Sequence, residues 1–170
     1  NKSYNLISKN TVVDVWLRHI LDSAQIIPLL HAKKGSVIAD LGTGAGFPGI
    51  LISISDHNFK FHVKLYEKSA VKREFLLSLK RELNLKFTVL ENVYEKEIQA
   101  DIIVCRAFKK LSEIVKISRE IVKKPHKIVI LKGKNAEKEI IDLSLGKNYS
   151  YKLFKSMTSL ESKIVTIDVV

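Results

Sequence analysis

Hydrophobic positions along the chain follow two different periods, and the changes between the two periods mark the predicted elements. Buried-looking or alternating apolar runs predict strands over 36–42, 61–67, 86–91, 100–107 and 126–133. Apolar residues at helical spacing predict helices over 45–55, 69–84, 111–124 and 136–145. Segments 149–156 and 162–170 alternate again with no helical pattern between them, which predicts a hairpin.

Residues 1–34 carry a separate helical pattern. It begins at a cap-like Thr11 and ends at Pro28, with an apolar stripe that includes Trp16. A tryptophan in such a stripe is usually part of a core, so we expect Trp16 to be buried. We expect 1–34 to form a helical cap on a single α/β domain over 35–170. The first residue is Asn1 rather than Met, which leaves open whether native residues precede it.

The alternation of strands and helices predicts an open, three-layer, Rossmann-like α/β sheet. Parallel strands need crossover helices, so the seven strands should be mostly parallel, with an antiparallel hairpin at the C-terminus. In such sheets a ligand lies beyond the carboxyl ends of the strands, where the strand order reverses. The segment "GTGAGFPG" (42–49) follows the first strand, and we therefore expect it to line the ligand site.

The spacing of the glycines favours one class of ligand. A dinucleotide-binding loop would need a third glycine at position 47, which is Phe47, and the Gly-Lys-Ser/Thr of a phosphate-binding P-loop is absent. An acid followed by three alternating glycines instead favours S-adenosylmethionine, whose amino-acid end can approach a bare backbone. The residues of this pattern are Asp40, Gly42, Gly44 and Gly46. Asp40 suits the donor's ammonium group, and Glu67, which ends the second strand, suits the ribose hydroxyls.

The charge of the chain points to a polyanionic partner. The net charge is +11 and the isoelectric point is about 9.7, which favours nucleic acid, although a lysine-biased composition is the alternative explanation. Lys72 and Arg73 lie on the 69–84 helix away from its apolar stripe, so they are candidate phosphate contacts. The members of that stripe are Val71, Phe75, Leu79 and Leu83.

Composition narrows the cellular setting. The mean hydropathy is +0.04, and no apolar run approaches the length of a membrane span, so we expect no membrane association and no leader. The single cysteine, Cys105, fits a reducing compartment. We expect a cytoplasmic monomer that binds no metal.

Four segments resemble a known family in their order and spacing. They are "RHILDS" (18–23), "ADLGTGAGFPGI" (39–50), "CRAF" (105–108) and "LKG" (131–133). They resemble the RsmG/GidB family of bacterial 16S ribosomal RNA guanine-N7 methyltransferases, and the resemblance covers nearly the whole chain. It implies a class I methyltransferase fold and S-adenosylmethionine as the cofactor. It also implies 16S rRNA in the small ribosomal subunit as the partner, with guanine 527 in the usual numbering as the target.

The resemblance also assigns residues. It implies donor contacts from Gly42, Phe47, Val93, Tyr94 and Arg106. Two departures are visible: Glu67-Lys68-Ser69 stands where the family usually has Asp-Ser, and Cys105 stands where it usually has Ser. The longer Glu67 side chain should preserve binding of the ribose.

Guanine N7 carries a lone pair and no proton, so its methylation needs positioning rather than a general base. We therefore expect Arg106 and Lys132, which end the fourth and fifth strands in one rim, to position donor or RNA. His19 and Asp22 share a helical face with Ser23. They either wall the substrate pocket or form a packing network between helix and sheet, and the packing network is slightly favoured.

Other functions remain open at this point. A cytosine-C5 methyltransferase would use Cys105 as its nucleophile, but its apolar surroundings in the sequence predict a packed core cysteine. The chain could also be a small-molecule or protein methyltransferase, or a non-catalytic RNA-binding domain. A nicotinamide dehydrogenase is disfavoured by Phe47.

Overall fold

The computed structural model describes residue 6 and residues 13–56, 60–94, 97–143 and 145–170. A π-helical segment, Trp16–Leu21, precedes the α-helices. The α-helices are α1 (Asp22–Ala24), α2 (Ile27–Leu30), α3 (Gly49–Ser55), α4 (Ala70–Glu82), α5 (Leu111–Ile121) and α6 (Ala136–Leu143). The strands are β1 (Val37–Leu41), β2 (His62–Tyr66), β3 (Phe87–Leu90), β4 (Ile102–Arg106), β5 (His126–Lys132), β6 (Tyr149–Lys155) and β7 (Lys163–Val169).

The strands form one seven-stranded sheet in the order β3-β2-β1-β4-β5-β7-β6. Strands β1 to β5 are parallel, and β7 runs antiparallel to both of its neighbours. The predicted mostly parallel sheet with an antiparallel C-terminal hairpin is confirmed. The order reverses between β1 and β4, so the loop after β1 lies at the switch point where ligands bind in open α/β sheets.

Each face of the sheet carries its own apolar core. Successive side chains of a strand point to opposite faces, so Val104 packs with α2, α3 and α4 while its neighbours Ile103 and Cys105 pack with α5 and α6. The two helical layers and the sheet between them give the expected three layers. The alternation also decides which face each strand-end side chain reaches.

The N-terminal helix is not continuous as predicted. The Asp22 N–H bonds to the Leu17 carbonyl, five residues back, so the chain makes a wide π turn before the short helices α1 and α2. Pro28 lies in the first turn of α2, where its missing N–H costs no hydrogen bond. The wide turn moves side chains away from positions expected for 3.6 residues per turn. Trp16 is 76% exposed, so the prediction that it is buried was wrong; His19, Ser23, Ile26 and Leu30 are buried instead.

The apolar face of α4 is rotated from its predicted position. Leu76, which was outside the predicted stripe, is fully buried, whereas Val71 and Leu83 are each about half exposed. Part of the contact that this helix makes with β3 comes from a charged side chain, because Lys80 lies 5.7 Å from the centroid of the Phe87 ring. A pattern that counts only apolar residues misses such a contact.

Two kinds of feature are absent from the described ranges. No helix there is long and apolar enough to cross a membrane. No group of three or more His, Cys, Asp or Glu side chains there is arranged to hold a metal ion. The division of the chain at residue 34 stays a prediction.

Candidate active site

The glycine loop after β1 is shaped by left-handed backbone. Gly42, Gly44 and Gly46 have φ angles of +69°, +60° and +96°, which L side chains rarely adopt. A right-handed helix cannot pass through such a residue, so α3 begins at Gly49 and the predicted start at residue 45 was wrong. The chain therefore leaves β1 in an open turn with few side chains.

Asp40, near the end of β1, holds this turn together from inside. Its Oδ2 accepts hydrogen bonds from the Thr43 hydroxyl and, at 2.8 Å, from the Gly49 N–H. Its Oδ1 is buried and has no hydrogen-bond partner in the described part of the chain. Burial raises the pKa of Asp40 to about 6, although the two hydrogen bonds oppose the rise. This oxygen can therefore accept a hydrogen bond from a bound ligand.

Glu67 is fastened to the same loop. Its Oε2 accepts the Gly44 N–H at 2.9 Å and its Oε1 accepts the Ser69 N–H at 2.8 Å. A carboxylate oxygen has two lone pairs, so each oxygen can accept a further hydrogen bond. The two backbone bonds thus orient the carboxylate without exhausting its capacity to bind hydroxyl groups.

A cleft of about 230 Å³ opens beside Glu67 at the carboxyl ends of the first four strands. Val93 is buried in its wall, and Tyr94 is 44% exposed at its rim, with the Lys68 ammonium 5.2 Å from the tyrosine ring centroid. Phe108 lies over Gly42 so closely that a Cβ there would come within 2.5 Å of the ring. Sequence reasoning missed Phe108 as a wall residue; its place in "CRAF", two residues after Arg106, was the signal that could have identified it.

Arg106, at the end of β4, contacts several residues of the N-terminal segment. Its guanidinium donates to the Arg18 carbonyl and to His19 Nδ1, both at 2.8 Å, and lies 3.6 Å from the Asp22 carboxylate. It also lies 5.4 Å from the Phe47 ring centroid, and the His19 ring stacks on that of Phe47 at 5.6 Å. Burial and the nearby Arg106 charge lower the pKa of His19, which favours the neutral ring whose Nδ1 accepts from Arg106. Of the predicted packing network between helix and sheet, the contacts of His19 and Asp22 with Arg106 are present, whereas the buried Ser23 hydroxyl has no hydrogen-bond partner among the described residues.

Lys132 does not reach this cluster. Arg106 pairs with Leu131 in the sheet, so Lys132, one residue further, leaves β5 on the opposite face. Its ammonium lies 2.8 Å from Glu139 of α6 and donates to the Lys109 carbonyl at 3.2 Å. The sequence placed Arg106 and Lys132 in one rim, whereas the structure separates them by the thickness of the sheet.

The two basic residues predicted on α4 differ in their surroundings. Arg73 donates to the carbonyls of Glu67 and Lys68, at 3.0 and 2.6 Å, and lies 3.3 Å from Glu91. It therefore braces the turn that carries Glu67. Lys72 lies in the first turn of α4, beside the cleft edge of the sheet.

Cys105 is fully buried in the core beneath α5, as predicted. Burial raises the pKa of its thiol, so the thiolate required of a nucleophile is strongly disfavoured. This side chain packs and takes no part in chemistry.

The pieces of the site fit one cofactor. An unpaired buried carboxylate oxygen suits an ammonium group, a bare loop allows close approach, and an oriented carboxylate beside a largely apolar cleft suits a ribose joined to a base. Fold and cleft together define an S-adenosylmethionine-dependent methyltransferase. A family profile described as rRNA small subunit methyltransferase G (GidB) matches residues 1–165. The chain belongs to this family.

Relatives support the assignment. The chain is 36% identical over 170 residues to ribosomal RNA small subunit methyltransferase G of Orientia tsutsugamushi (strain Ikeda), covering 99% of this chain and 83% of that protein. It is 37% identical over 169 residues to the protein of that description from Rickettsia prowazekii, covering 99% and 86%.

Solved structures support the fold. A SAM-dependent methyltransferase from Aquifex aeolicus superposes with a TM-score of 0.71 at 14% identity, covering 95% of this chain and 96% of that one. A methyltransferase from Pyrococcus furiosus gives a TM-score of 0.66 at 14% identity, covering 86% and 81%. At these identities the likeness concerns the fold.

Proposed function

We propose that the protein methylates N7 of a guanine in 16S rRNA, guanine 527 by its family resemblance. S-adenosylmethionine, when bound, supplies a methyl group on a positively charged sulfur. We further propose that the protein acts as a cytoplasmic monomer on the small ribosomal subunit. The family description and the names of the relatives, which specify small-subunit rRNA, support the substrate.

The residues around the glycine loop bind and orient the donor in this proposal. Gly42, Gly44 and Gly46 let the backbone approach it. Asp40 Oδ1, buried and without a hydrogen-bond partner among the described residues, accepts from the ammonium group of the donor. Glu67 accepts from the ribose hydroxyls with the lone pairs that its two backbone bonds leave free. Val93 and Tyr94 form the wall and the rim of the cleft for the base.

One observation supports guanine N7 as the acceptor atom: among the described residues at the end of β4, no side chain is available as a base or a nucleophile. Cys105 is buried, and His19 Nδ1 already accepts from Arg106. Such a site suits an acceptor that is nucleophilic without losing a proton, and guanine N7 has that property. Arg106, with Phe47 and His19 packed around it, then positions the reactants. Asp22 holds Arg106 in place.

The remaining basic residues have supporting roles in the proposal. Lys132 holds the Lys109 carbonyl and so positions the 107–110 segment, which carries Phe108. Lys72, at the start of α4, contacts RNA phosphate. Arg73 keeps the Glu67 turn in shape through its two carbonyl contacts.

The test uses labelled S-adenosylmethionine and small subunits from bacteria that lack this modification. We expect one new 7-methylguanine, mapped by chemical cleavage of the 16S rRNA. Arg106→Ala should lower kcat/KM about 10- to 150-fold, because it removes charge-assisted hydrogen bonds worth about 1.5 to 3 kcal/mol. Arg81→Ala, at the far end of α4, is the matched control and should leave kcat/KM unchanged.

Each other outcome contradicts a defined part of the proposal. Label in protein or in small molecules would exclude RNA as the substrate. A methyl group on another atom of the rRNA would exclude guanine N7. Donor binding by calorimetry with no transfer to subunits or to naked 16S rRNA would indicate a non-catalytic RNA-binding domain.

A further inference from the structure

Another pocket lies beside Arg106, because it is lined by Asp22, whose carboxylate is 3.6 Å from the Arg106 guanidinium. Its volume is about 240 Å³, and it is lined by Arg18, Asp22, Thr158, Ser159 and Ser162. The last three belong to the loop 156–162 between β6 and β7. That loop follows Lys155, which pairs with Lys163, and Lys163 in turn pairs with Lys132 at the carboxyl end of β5. The pocket therefore opens at the same edge of the sheet as the donor cleft.

The pocket is built by specific bonds between the N-terminal segment and the loop. Thr158 Oγ1 donates to Asp22 Oδ1 at 2.6 Å. Gln25 Oε1 accepts the Met157 N–H at 2.8 Å, and Gln25 Nε2 lies 3.2 Å from Ser156 Oγ. These three hydrogen bonds fix the width of the pocket between two segments more than 130 residues apart in sequence.

The charge in the pocket is unbalanced. Asp22 is 3.6 Å from Arg106, and its Oδ1 already accepts from Thr158 and Gln25, so its negative charge is compensated. The exposed Arg18 guanidinium has no ion pair or hydrogen bond within the described ranges, since only its backbone is engaged. One free guanidinium beside Ser159 and Ser162 hydroxyls offers several donors to an incoming oxyanion.

We propose that this pocket binds a phosphodiester group of the RNA backbone next to the target nucleotide, with Arg18 as its main ligand. The inference rests on the proposed function, because it takes RNA as the partner. A guanidinium is suited to a phosphate by its planar, forked donors, and the loop hydroxyls complete the contact. Phosphate contacts of this kind fix the register of the RNA and leave the choice of base to the reaction site.

The experiment measures methylation of unmodified small subunits between 50 and 200 mM KCl. For Arg18→Gln we expect KM for subunits to rise at each salt concentration. The slope of log KM against log salt should fall by about 0.7 to 0.9, the value of one lost phosphate contact. The donor Kd, measured by calorimetry without RNA, should stay that of the unsubstituted protein. Arg81→Gln, an exposed arginine at the opposite edge of the sheet, is the matched control and should keep the original slope.

Four results would overturn the inference. An unchanged slope and KM in Arg18→Gln would show that no phosphate is bound there, while transfer by the unsubstituted protein would leave the proposed function standing. A fall in slope of equal size in Arg81→Gln would show only the general effect of net charge. Inhibition by inorganic phosphate at constant ionic strength, equal in Arg18→Gln and the unsubstituted protein, would assign any anion effect to another place. If the unsubstituted protein transfers no methyl group to subunits, the proposed function fails, and this inference fails with it.

Discussion

Asp40 places an ionisable carboxyl group at a fully buried position, where a neutral side chain would make the fold more stable. The side chain is fully buried, and two hydrogen bonds to one oxygen do not prevent burial from raising its pKa to about 6. Its other oxygen has no partner among the described residues. Such an arrangement is costly for stability and is explained if the free oxygen serves the donor.

This cost predicts a pH dependence for Asp40→Asn. Below pH 3.8 the carboxyl is protonated whether folded or unfolded; between 3.8 and about 6 only the folded state keeps the proton. The free energy of unfolding therefore falls as pH rises through this window, by up to about 3 kcal/mol, and the loss is complete above it. Asparagine carries no such charge, so we expect the variant to lack this fall. Denaturant unfolding at several pH values measures the difference.

The same variant separates stability from binding. Asparagine retains one oxygen for Thr43 and Gly49 but places an amide where the free carboxylate oxygen was. We expect donor affinity, measured by calorimetry at pH 7.5, to fall about tenfold or more, since a charge-assisted hydrogen bond is worth about 1.5 to 3 kcal/mol. Donor affinity equal to that of the unsubstituted protein would show that Asp40 only shapes the loop.

A substitution of Trp16 tests whether this side chain is exposed, as in the structure, or buried, as the sequence predicted. Because the side chain is 76% exposed, Trp16→Ala should change the free energy of unfolding by no more than about 0.5 kcal/mol. Leu76→Ala is the contrasting substitution, since this fully buried side chain should cost about 2 to 5 kcal/mol. A loss of about 3 kcal/mol or more from Trp16→Ala would restore the core position that the sequence pattern suggested.

At the scale of elements, two glycines of the loop are required for different reasons, Gly44 for its backbone angle and Gly46 also for lack of space. A Cβ at Gly44 would meet only the Gly42 carbonyl, at 4.0 Å, whereas a Cβ at Gly46 would come within 2.1 Å of Ile50. We expect Gly44→Ala to cost about 1 to 2 kcal/mol for left-handed backbone, and Gly46→Ala about 2 to 4 kcal/mol because crowding is added. Thermal unfolding ranks the two.

Donor binding should follow a different order. Gly44→Ala places a methyl group in the open space that the proposal assigns to the donor, so its Kd should rise at least about tenfold in a protein that remains folded. If Gly44→Ala binds the donor normally, the loop is bare for reasons of folding and not for the cofactor.

Strand-level features could be predicted from the sequence, and helix-level details could not. Alternation and buried runs identify strands such as β4 and the β6–β7 hairpin because burial on a sheet has a simple period of two. The same period could have shown that Arg106 and Lys132 face opposite ways, once their register in neighbouring strands was known. The start of α3 and the π turn depend on backbone angles and hydrogen bonds that residue types specify only weakly.

The candidate site shows the same division. The glycine pattern and Glu67 were identifiable because each lies in a single βα turn, the glycines after β1 and Glu67 after β2. The gathering of His19, Asp22 and Phe47 around Arg106 is a long-range contact, and spacing within a single helix does not reveal which strand it meets. The pocket that contains Thr158 was not predicted at all, since its walls come from opposite ends of the described chain.

For the whole molecule, Gln25 is the main link between these two ends. Its side chain contacts Ser156, Met157 and Asp22. We expect Gln25→Ala to increase amide hydrogen exchange in 156–162 and to raise KM for small subunits, with the donor Kd unchanged. Hydrogen-exchange mass spectrometry measures the exchange rate of the amides in this loop. Exchange that matches the unsubstituted protein would show that the loop keeps its position by itself.

The place of β7 has a consequence for how the protein comes to be made. This late strand lies between β5 and β6, and its neighbours cannot close the sheet without it. During synthesis, domains are completed as the chain emerges, and pairings between distant segments form last. The walls that involve Thr158 and Ser162 thus form only once the hairpin is in place. The pocket beside Arg18 is therefore complete only after the last strand of the chain has been synthesised.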